Sequence, residues 1–204
     1  MQKLSVLLIL VLGVLSMKPA PDEYKIDLTK STFKWTGKKV TGSHWGYVKF
    51  SAGTLSVEND KLVGGTFTVD MNSIDCQDTK GEYGDKLVGH LKSEDFFGVA
   101  KNPRSSLNII SATHKGGSDY DIVANLIIKG ISNEISFPAT VTIKKKTVTA
   151  MANFNVNRTK FNIKYGSGSF FDNLGDKAID DNFNVDVNIV AEQLKKVKKS
   201  KKKK

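Results

Sequence analysis

Apolar and polar residues alternate with a period of two along most of this chain, and this pattern restricts its fold more than any other feature. In DIVANLIIKG, for example, Ile122, Ala124, Leu126 and Ile128 fall on one face of an extended segment. Side chains along a β-strand point alternately to opposite faces, so such segments are typical of strands that bury one side. About eight segments of this kind predict an all-β protein.

Short turn signals separate these segments and indicate how the strands are connected. They include Glu58-Asn59-Asp60, Gly116-Gly117-Ser118, Gly130–Asn133 and Lys144–Lys146. Strands joined by such short turns pair in antiparallel hairpins. About eight long antiparallel strands with one apolar face form either a barrel or a sandwich, and an eight-stranded barrel has room for one small ligand.

One segment, HLKSEDFFGVAKNP, does not alternate and has the pattern of a helix. It lies in the long connection between a strand that ends near Ile74 and a strand that begins near Ser105. Leu87, just before this segment, and Leu91, within it, are four residues apart, which places them on one face of a helix. The sequence therefore predicts a short helical insert at about 82–98, and a connection of this length usually has a role of its own.

Within this insert, Ser93 has the properties of an N-cap residue, and Glu94 and Asp95 follow it as favoured residues of a first helical turn. Phe96 and Phe97 come next and are expected on the apolar side of the helix. The insert then either plugs one end of the core or forms a lid over a ligand cavity.

The N-terminal residues have the composition of a targeting segment. Lys3 followed by the apolar run Leu4–Leu15 is the pattern of a secretory signal peptide, here assigned to residues 1–16 with cleavage near Ser16. The mature protein is expected to be periplasmic or secreted. Its folded domain is predicted to span residues 22–193.

A lysine-rich segment ends the chain. The formal net charge is +10, and Lys195–Lys204 contributes eight of these charges. The rest of the chain is close to neutral and has no basic stripe alternating with aromatic residues, so nucleic-acid binding is not predicted. Residues 194–204 are expected to be a disordered tail, which either stays solvated or contacts an anionic membrane surface. A homodimer is compatible with the sequence.

The sequence offers little for catalysis or for metal binding. The one cysteine, Cys76, has no base beside it in sequence, and His44, His90 and His114 do not have the spacing of metal ligands. Neither the G-x-S-x-G pattern of serine hydrolases nor the spacing of an EF-hand is present. We therefore predict no enzyme, no metal site and no cofactor.

Three stretches resemble the YceI family of exported bacterial lipid-binding proteins. HLKSEDFFGVAKNPRSSL is similar to the family signature H-L-[RK]-S-x-D-F-[FL]…A-K-[YN]-P. ANLIIKGISNEISFPATV resembles the family's central hairpin, and FNVNRTKFNIKYGSG with NFNVDVNIVAE resembles its closing strands. The resemblance covers about Tyr24 to Glu192. It implies a lipocalin-like antiparallel β-barrel with an elongated apolar cavity that holds a long-chain lipid.

The residues expected to contact such a lipid are apolar residues on the predicted inner faces. The wall candidates are Phe33, Trp35, Val48, Phe50, Phe67, Val69, Met71, Leu126, Ile128, Phe137 and Phe154. The lid candidates are Leu87, Leu91, Phe96 and Phe97.

Two functions remain open at this point. The first is an exported carrier or scavenger of a long-chain apolar lipid, which is a polyisoprenoid, an isoprenoid quinone or a fatty-acid-like molecule. The second is a structural or adhesive barrel whose interior is filled by its own side chains. A cavity distinguishes them, because an interior packed at native density leaves no tunnel.

Overall fold

A computed structural model describes residues 20–194, which form strands from Asp22 to Gln193. The strands are β1 (Asp22–Ile26), β2 (Thr32–Lys39), β3 (Gly42–Tyr47), β4 (Lys49–Glu58), β5 (Lys61–Asp70), β6 (Arg104–Gly116), β7 (Asp119–Ile128), β8 (Ile131–Lys144), β9 (Thr147–Asn157) and β10 (Ile179–Gln193). The helix α1 spans Gly81–Lys92. In the described part of the chain, no helix has the length and apolarity needed to span a membrane. The predicted signal peptide and the Lys195–Lys204 tail lie outside the described residues.

The ten strands form a closed antiparallel barrel with eight strand positions. β1 and β2 follow one another in one position, and β3 and β4 follow one another in the next. β1 and β2 pair with opposite ends of the long strand β10. β1 also pairs with β4, and β2 pairs with β3, so β1–β2 and β3–β4 are the two interrupted arms of one hairpin. From β4 onward each strand pairs with the next until β10 closes on β1. The predicted eight-stranded antiparallel barrel is confirmed.

The residues that alternate in sequence point alternately to the inside and to the outside of the barrel. In β9, Val148 and Val156 are buried and Thr149 is exposed. The inward residues of the strands form one continuous core cluster with residues from α1. Tight turns close the end of the barrel opposite α1. At one of them, Asn59 and Asp60 have φ values of 51° and 57°, a left-handed conformation that Asn and Asp adopt more readily than most residues.

α1 lies in the connection between β5 and β6, so the prediction of a helical insert is confirmed. The end of this helix differs from the prediction. Ser93, the predicted N-cap, is instead the C-cap of α1, and its N–H and hydroxyl both donate to the carbonyl of His90, at 3.1 and 2.8 Å. A serine hydroxyl can donate to the last carbonyls of one helix as readily as it can accept from the first amides of another.

Phe96 and Phe97 therefore lie in turns that follow the helix. The N–H of Phe97 donates to the carbonyl of Leu91 at 3.1 Å, which folds the two rings back towards the helix end. Gly98 then takes a φ of +53°, and a Cβ at this position would lie 2.9 Å from the carboxylate of Glu94. The left-handed conformation favours glycine here, whereas the flexible Glu94 side chain could move aside for a Cβ.

Candidate functional site

The inner face of the barrel encloses an apolar cavity. The volume open to the centre of a water-sized sphere is about 190 Å³, whereas a site for a single water molecule needs only about 10–15 Å³ on this measure. The cavity extends from Leu62 and Val141, near the tight turns, to Leu91 and Phe97 at the helix end. It therefore follows the length of the barrel and is too large to be a packing defect.

The structure brings nearly all of the predicted contact residues to this cavity. The wall candidates that line it are Phe33, Trp35, Val48, Phe50, Phe67, Val69, Met71, Leu126, Ile128, Phe137 and Phe154. Among the lid candidates, Leu91, Phe96 and Phe97 also line it, whereas Leu87 packs against the core cluster without reaching the cavity. Their contact with a lipid stays a prediction.

Part of the lining lies outside the predicted set, although these residues also alternate in sequence. Phe183 and Val187 alternate in β10 as clearly as the named residues do in other strands, and both line the cavity. Ala139, Ala150 and Ala152 line it as well. These small side chains leave space between the large ones, which is why the barrel is not filled.

Aromatic rings form much of the cavity wall. Phe50 lies between Phe33 and Phe67, with ring centroids 6.0 and 6.2 Å away. Phe137 and Phe154 stack face to face at 4.1 Å. These rings present apolar surface and hold no polar atom that a hydrocarbon chain would leave without a hydrogen-bond partner.

The barrel wall is incomplete along one line, which we call the β8–β9 seam. β8 and β9 pair only from Thr140–Lys144 to Thr147–Met151. Beyond these residues β8 still pairs with β7 and β9 still pairs with β10, but the two strands no longer pair with each other. The seam is thus formed by residues 131–139 of β8 and 152–157 of β9.

Side chains at the seam account for its position. Pro138 lies in β8 two residues before the ladder begins, and it has no N–H to donate. The stacked rings of Phe137 and Phe154 span the seam from inside the barrel. Met151, at the last paired position, is 56% exposed and also borders the cavity. The cavity therefore approaches the outer surface at this point.

Aromatic contacts hold the helix end of the barrel together. The ring of His90 lies against Phe96 and Tyr165, with centroids 4.9 and 4.6 Å away, and its Nε2 is 3.1 Å from a carboxylate oxygen of Asp95. Phe97 contacts Phe183 of β10 at 6.3 Å. The HLKSEDFF segment is therefore fixed to the connection between β9 and β10, and it closes this end of the cavity.

One buried charge borders the cavity at the same end. The guanidinium of Arg158, a residue only 4% exposed, donates hydrogen bonds to four main-chain carbonyls. These carbonyls belong to Asp180, Ile163, Tyr165 and Ile179, at 2.9, 2.9, 2.9 and 3.0 Å. Burial lowers the pKa of Arg158, and the carboxylate of Asp181, 3.8 Å away, opposes this shift. With its donors used in this way, Arg158 positions the chain rather than a ligand.

The structure also brings together three residues whose spacing in sequence gave no signal. His44 Nδ1 lies 2.8 Å from Asp78 Oδ2, and the thiol of Cys76 donates to Asp78 Oδ1 at 3.4 Å. Burial raises the pKa of Asp78, but hydrogen bonds from the Trp45 N–H, His44 and Cys76 outweigh this effect and lower the pKa to about 2. These three residues lie outside the cavity lining.

Comparison with known proteins identifies the family of the chain. The model of the YceI-like domain matches residues 24–191. The chain belongs to the YceI-like family. A UPF0312 protein of Pectobacterium carotovorum is 30% identical over 122 residues, and one of Pectobacterium atrosepticum is 30% identical over 125 residues. Each match covers 57% of this chain and spans only 60% of the length of that relative.

Solved structures show the same barrel at lower sequence identity. Burkholderia cenocepacia BcnA is 23% identical, with a TM-score of 0.67 over 81% of this chain and 98% of that one. A polyisoprenoid binding domain from Saccharophagus degradans, implicated in plant cell wall breakdown, is 14% identical, with a TM-score of 0.60 over 84% of this chain and 98% of that one. These similarities confirm the YceI-like fold.

Proposed function

We propose that the barrel binds one long-chain apolar lipid in its cavity and acts as an exported carrier or scavenger of that lipid. The observation that carries this proposal is the cavity itself, which is lined almost wholly by apolar side chains along the length of the barrel. The similarity to a structure described as a polyisoprenoid binding domain supports a polyisoprenoid or another chain of comparable shape.

The energetics of burial favour a long ligand over a short one. Each buried methylene contributes about 0.8 kcal/mol, so ten of them contribute roughly 8 kcal/mol. Association costs about 4–15 kcal/mol, so a short chain gives little net affinity. A preformed cavity such as this one lowers that cost, because its wall residues are held by the barrel before the lipid enters.

The alternative, a structural or adhesive barrel with a filled interior, has less support. A filled barrel requires large inward side chains throughout, whereas Ala139, Ala150 and Ala152 border open space here. An enzyme acting on a lipid requires polar groups free to face the substrate. The buried guanidinium of Arg158, which borders the cavity, is already bonded to four carbonyls.

Export is part of the same proposal. Lys3 and the apolar run Leu4–Leu15 support a cleaved signal peptide and a periplasmic or secreted protein. Contact of the Lys195–Lys204 tail with anionic membranes would bring the carrier to a source of lipid, with each lysine near the surface contributing about 1 kcal/mol.

The proposal is tested by extracting the protein from its exported fraction with organic solvent and analysing the extract by mass spectrometry. We expect one long-chain lipid per protein chain. An empty extract, together with no uptake from mixed lipids, would favour the structural barrel.

A pair of variants connects any binding to the cavity. Ala150→Phe on the inner face of β9 should weaken binding of a fluorescent long-chain fatty acid by about tenfold or more, because the new ring occupies space that two methylenes would otherwise fill. Thr149→Phe is the matched control, since the neighbouring residue is exposed on the outer face. Equal effects of the two substitutions would place the probe outside the barrel.

A further inference from the structure

Three side chains of types that bind metal ions come together outside the cavity of the barrel. None of them is among the residues that line the cavity. His44 comes from β3, and Cys76 and Asp78 come from the extended segment that leads from β5 to α1. His44 Nδ1, Cys76 Sγ and a carboxylate oxygen of Asp78 all lie within 4.8 Å of one another.

The backbone holds these donors in place. The segment that contains Cys76 and Asp78 runs along β3, and two main-chain hydrogen bonds fix it there. They join Asp75 N–H to the Tyr47 carbonyl at 3.1 Å and Gln77 N–H to the Trp45 carbonyl at 2.8 Å. The approach is so close that a Cβ at Gly46 would lie 2.0 Å from the Asp75 oxygen.

The carboxylate of Asp78 is oriented by the same strand. Its Oδ1 accepts a hydrogen bond from the Trp45 N–H at 2.8 Å, which leaves Oδ2 directed at His44 Nδ1. Thr79 also places its hydroxyl 3.3 Å from His44 Nδ1. Such contacts around the donors are what orients ligands in metal sites.

We propose that His44, Cys76 and Asp78 bind a zinc ion. A thiolate, an imidazole and a carboxylate are ligands that Zn²⁺ accepts together, at about 2.3, 2.0–2.1 and 2.0–2.2 Å. Around a tetrahedral ion with these bonds, neighbouring ligand atoms lie about 3.3–3.6 Å apart. His44 Nδ1 lies 2.8 Å from Asp78 Oδ2, and Cys76 Sγ lies 3.4 Å from Oδ1 of the same carboxylate. Since the nitrogen, the sulfur and one carboxylate oxygen all lie within 4.8 Å of one another, shifts on the order of 1 Å bring them to that geometry.

Binding replaces hydrogens that now lie between the donors. The thiol of Cys76 loses its proton to solvent and coordinates as thiolate. The hydrogen on His44 Nδ1 is released to solvent, Nε2 of the neutral ring carries the remaining proton, and Nδ1 then coordinates the ion. The side chains of His44 and Asp78 are 36% and 24% exposed, so the site opens to solvent on one side. A water molecule or an external ligand would complete the tetrahedron there.

The test uses the full chain, freed of metal with a chelator and without an added histidine tag. Zn²⁺ is titrated in competition with a chromophoric chelator, and Co²⁺ is added separately as a spectroscopic probe. We expect one Zn²⁺ per chain, and a near-ultraviolet band for Co²⁺ that is diagnostic of a thiolate ligand. This spectrum is recorded on the unaltered chain, so it does not depend on whether a variant folds.

Substitutions assign the site. Cys76→Ser and Asp78→Asn should each weaken Zn²⁺ binding by at least about tenfold, since loss of even an outer-shell contact commonly costs 10–100-fold. His114→Gln is the matched control, because that histidine contacts Gly117 in a distant turn. Zinc binding that Cys76→Ser leaves unchanged, a Co²⁺ spectrum without the thiolate band, or no binding at all would overturn the proposal. Ala150→Phe should leave zinc affinity intact, which separates this result from the lipid test.

Discussion

Arg158 offers the sharpest test of how the helix end of the barrel is held. Its guanidinium donates to four main-chain carbonyls of the connection after β9 and the start of β10. Hydrogen bonds from a charged donor contribute about 1.5–3 kcal/mol each, or roughly 6–12 kcal/mol in total before the cost of burial. Burial disfavours the charged form of Arg158 and lowers its pKa, which opposes part of this gain.

We expect Arg158→Met to lower the free energy of unfolding by about 3–5 kcal/mol, the usual cost of removing one side of a buried charged network. Four carbonyls then lose their donor, and methionine fills the space without replacing any bond. Against a total stability of about 5–15 kcal/mol, the change is large. Arg158→Lys keeps the charge but not the planar fork, so its cost should be intermediate.

Urea denaturation followed by tryptophan fluorescence gives these free energies. Arg104→Met is the matched control, because Arg104 is exposed and its replacement should change stability by no more than about 0.5 kcal/mol. A loss below about 1 kcal/mol for Arg158→Met would refute the reasoning, since the connection would then be held without its central side chain.

Three further outcomes follow from the described contacts. Serine at both Phe96 and Phe97 should speed the release of a fluorescent lipid more than it lowers stability, because both rings border the cavity; equal losses would make them core residues only. Gly46→Ala should cost about 1–3 kcal/mol of unfolding free energy through its clash with a main-chain oxygen, whereas Gly89→Ala, in open space on α1, should add about 0.5–1 kcal/mol. The pKa of Asp78 is about 2 in the folded protein and about 3.9 in an unfolded chain, so its carboxylate stabilises the fold at pH values above about 4. This contribution should be lost as the pH falls from about 4 to 2. Acid unfolding that is unchanged in Asp78→Asn would contradict this.

The inner face of the barrel was predictable because it depends on local alternation. Residues such as Phe67 and Val69 of β5, or Leu126 and Ile128 of β7, needed only their period of two to be placed inside. The end of α1 was not predictable in the same way. Ser93 satisfies the rules for beginning a helix and for ending one, and only the carbonyl of His90 decides between them.

The His44, Cys76 and Asp78 cluster was beyond any local rule. It forms because residues 75–78 pair with β3, a contact between segments about thirty positions apart. The interruption between β1 and β2 also escaped the alternation pattern, since the turn there is made by the side chain of Asp27, which accepts from Thr29 and Lys30. Side-chain to main-chain bonds of this kind leave only a faint compositional signal.

The β8–β9 seam determines where the barrel can widen when a thicker molecule occupies its cavity. A fully hydrogen-bonded ring resists widening everywhere, because every increase in circumference must stretch or break bonds of a ladder. A barrel in which two neighbouring strands are unpaired over part of their length widens first between those strands. Contacts that cross the seam include the stacked rings of Phe137 and Phe154, which contribute about 0.5–1.5 kcal/mol beyond their buried area, and the hydrogen bond from the Asn133 side chain to the Lys160 carbonyl. For the proposed lipid carrier, this predicts that ligands of different thickness, a straight acyl chain or a methyl-branched one, are accommodated by widening at the β8–β9 seam.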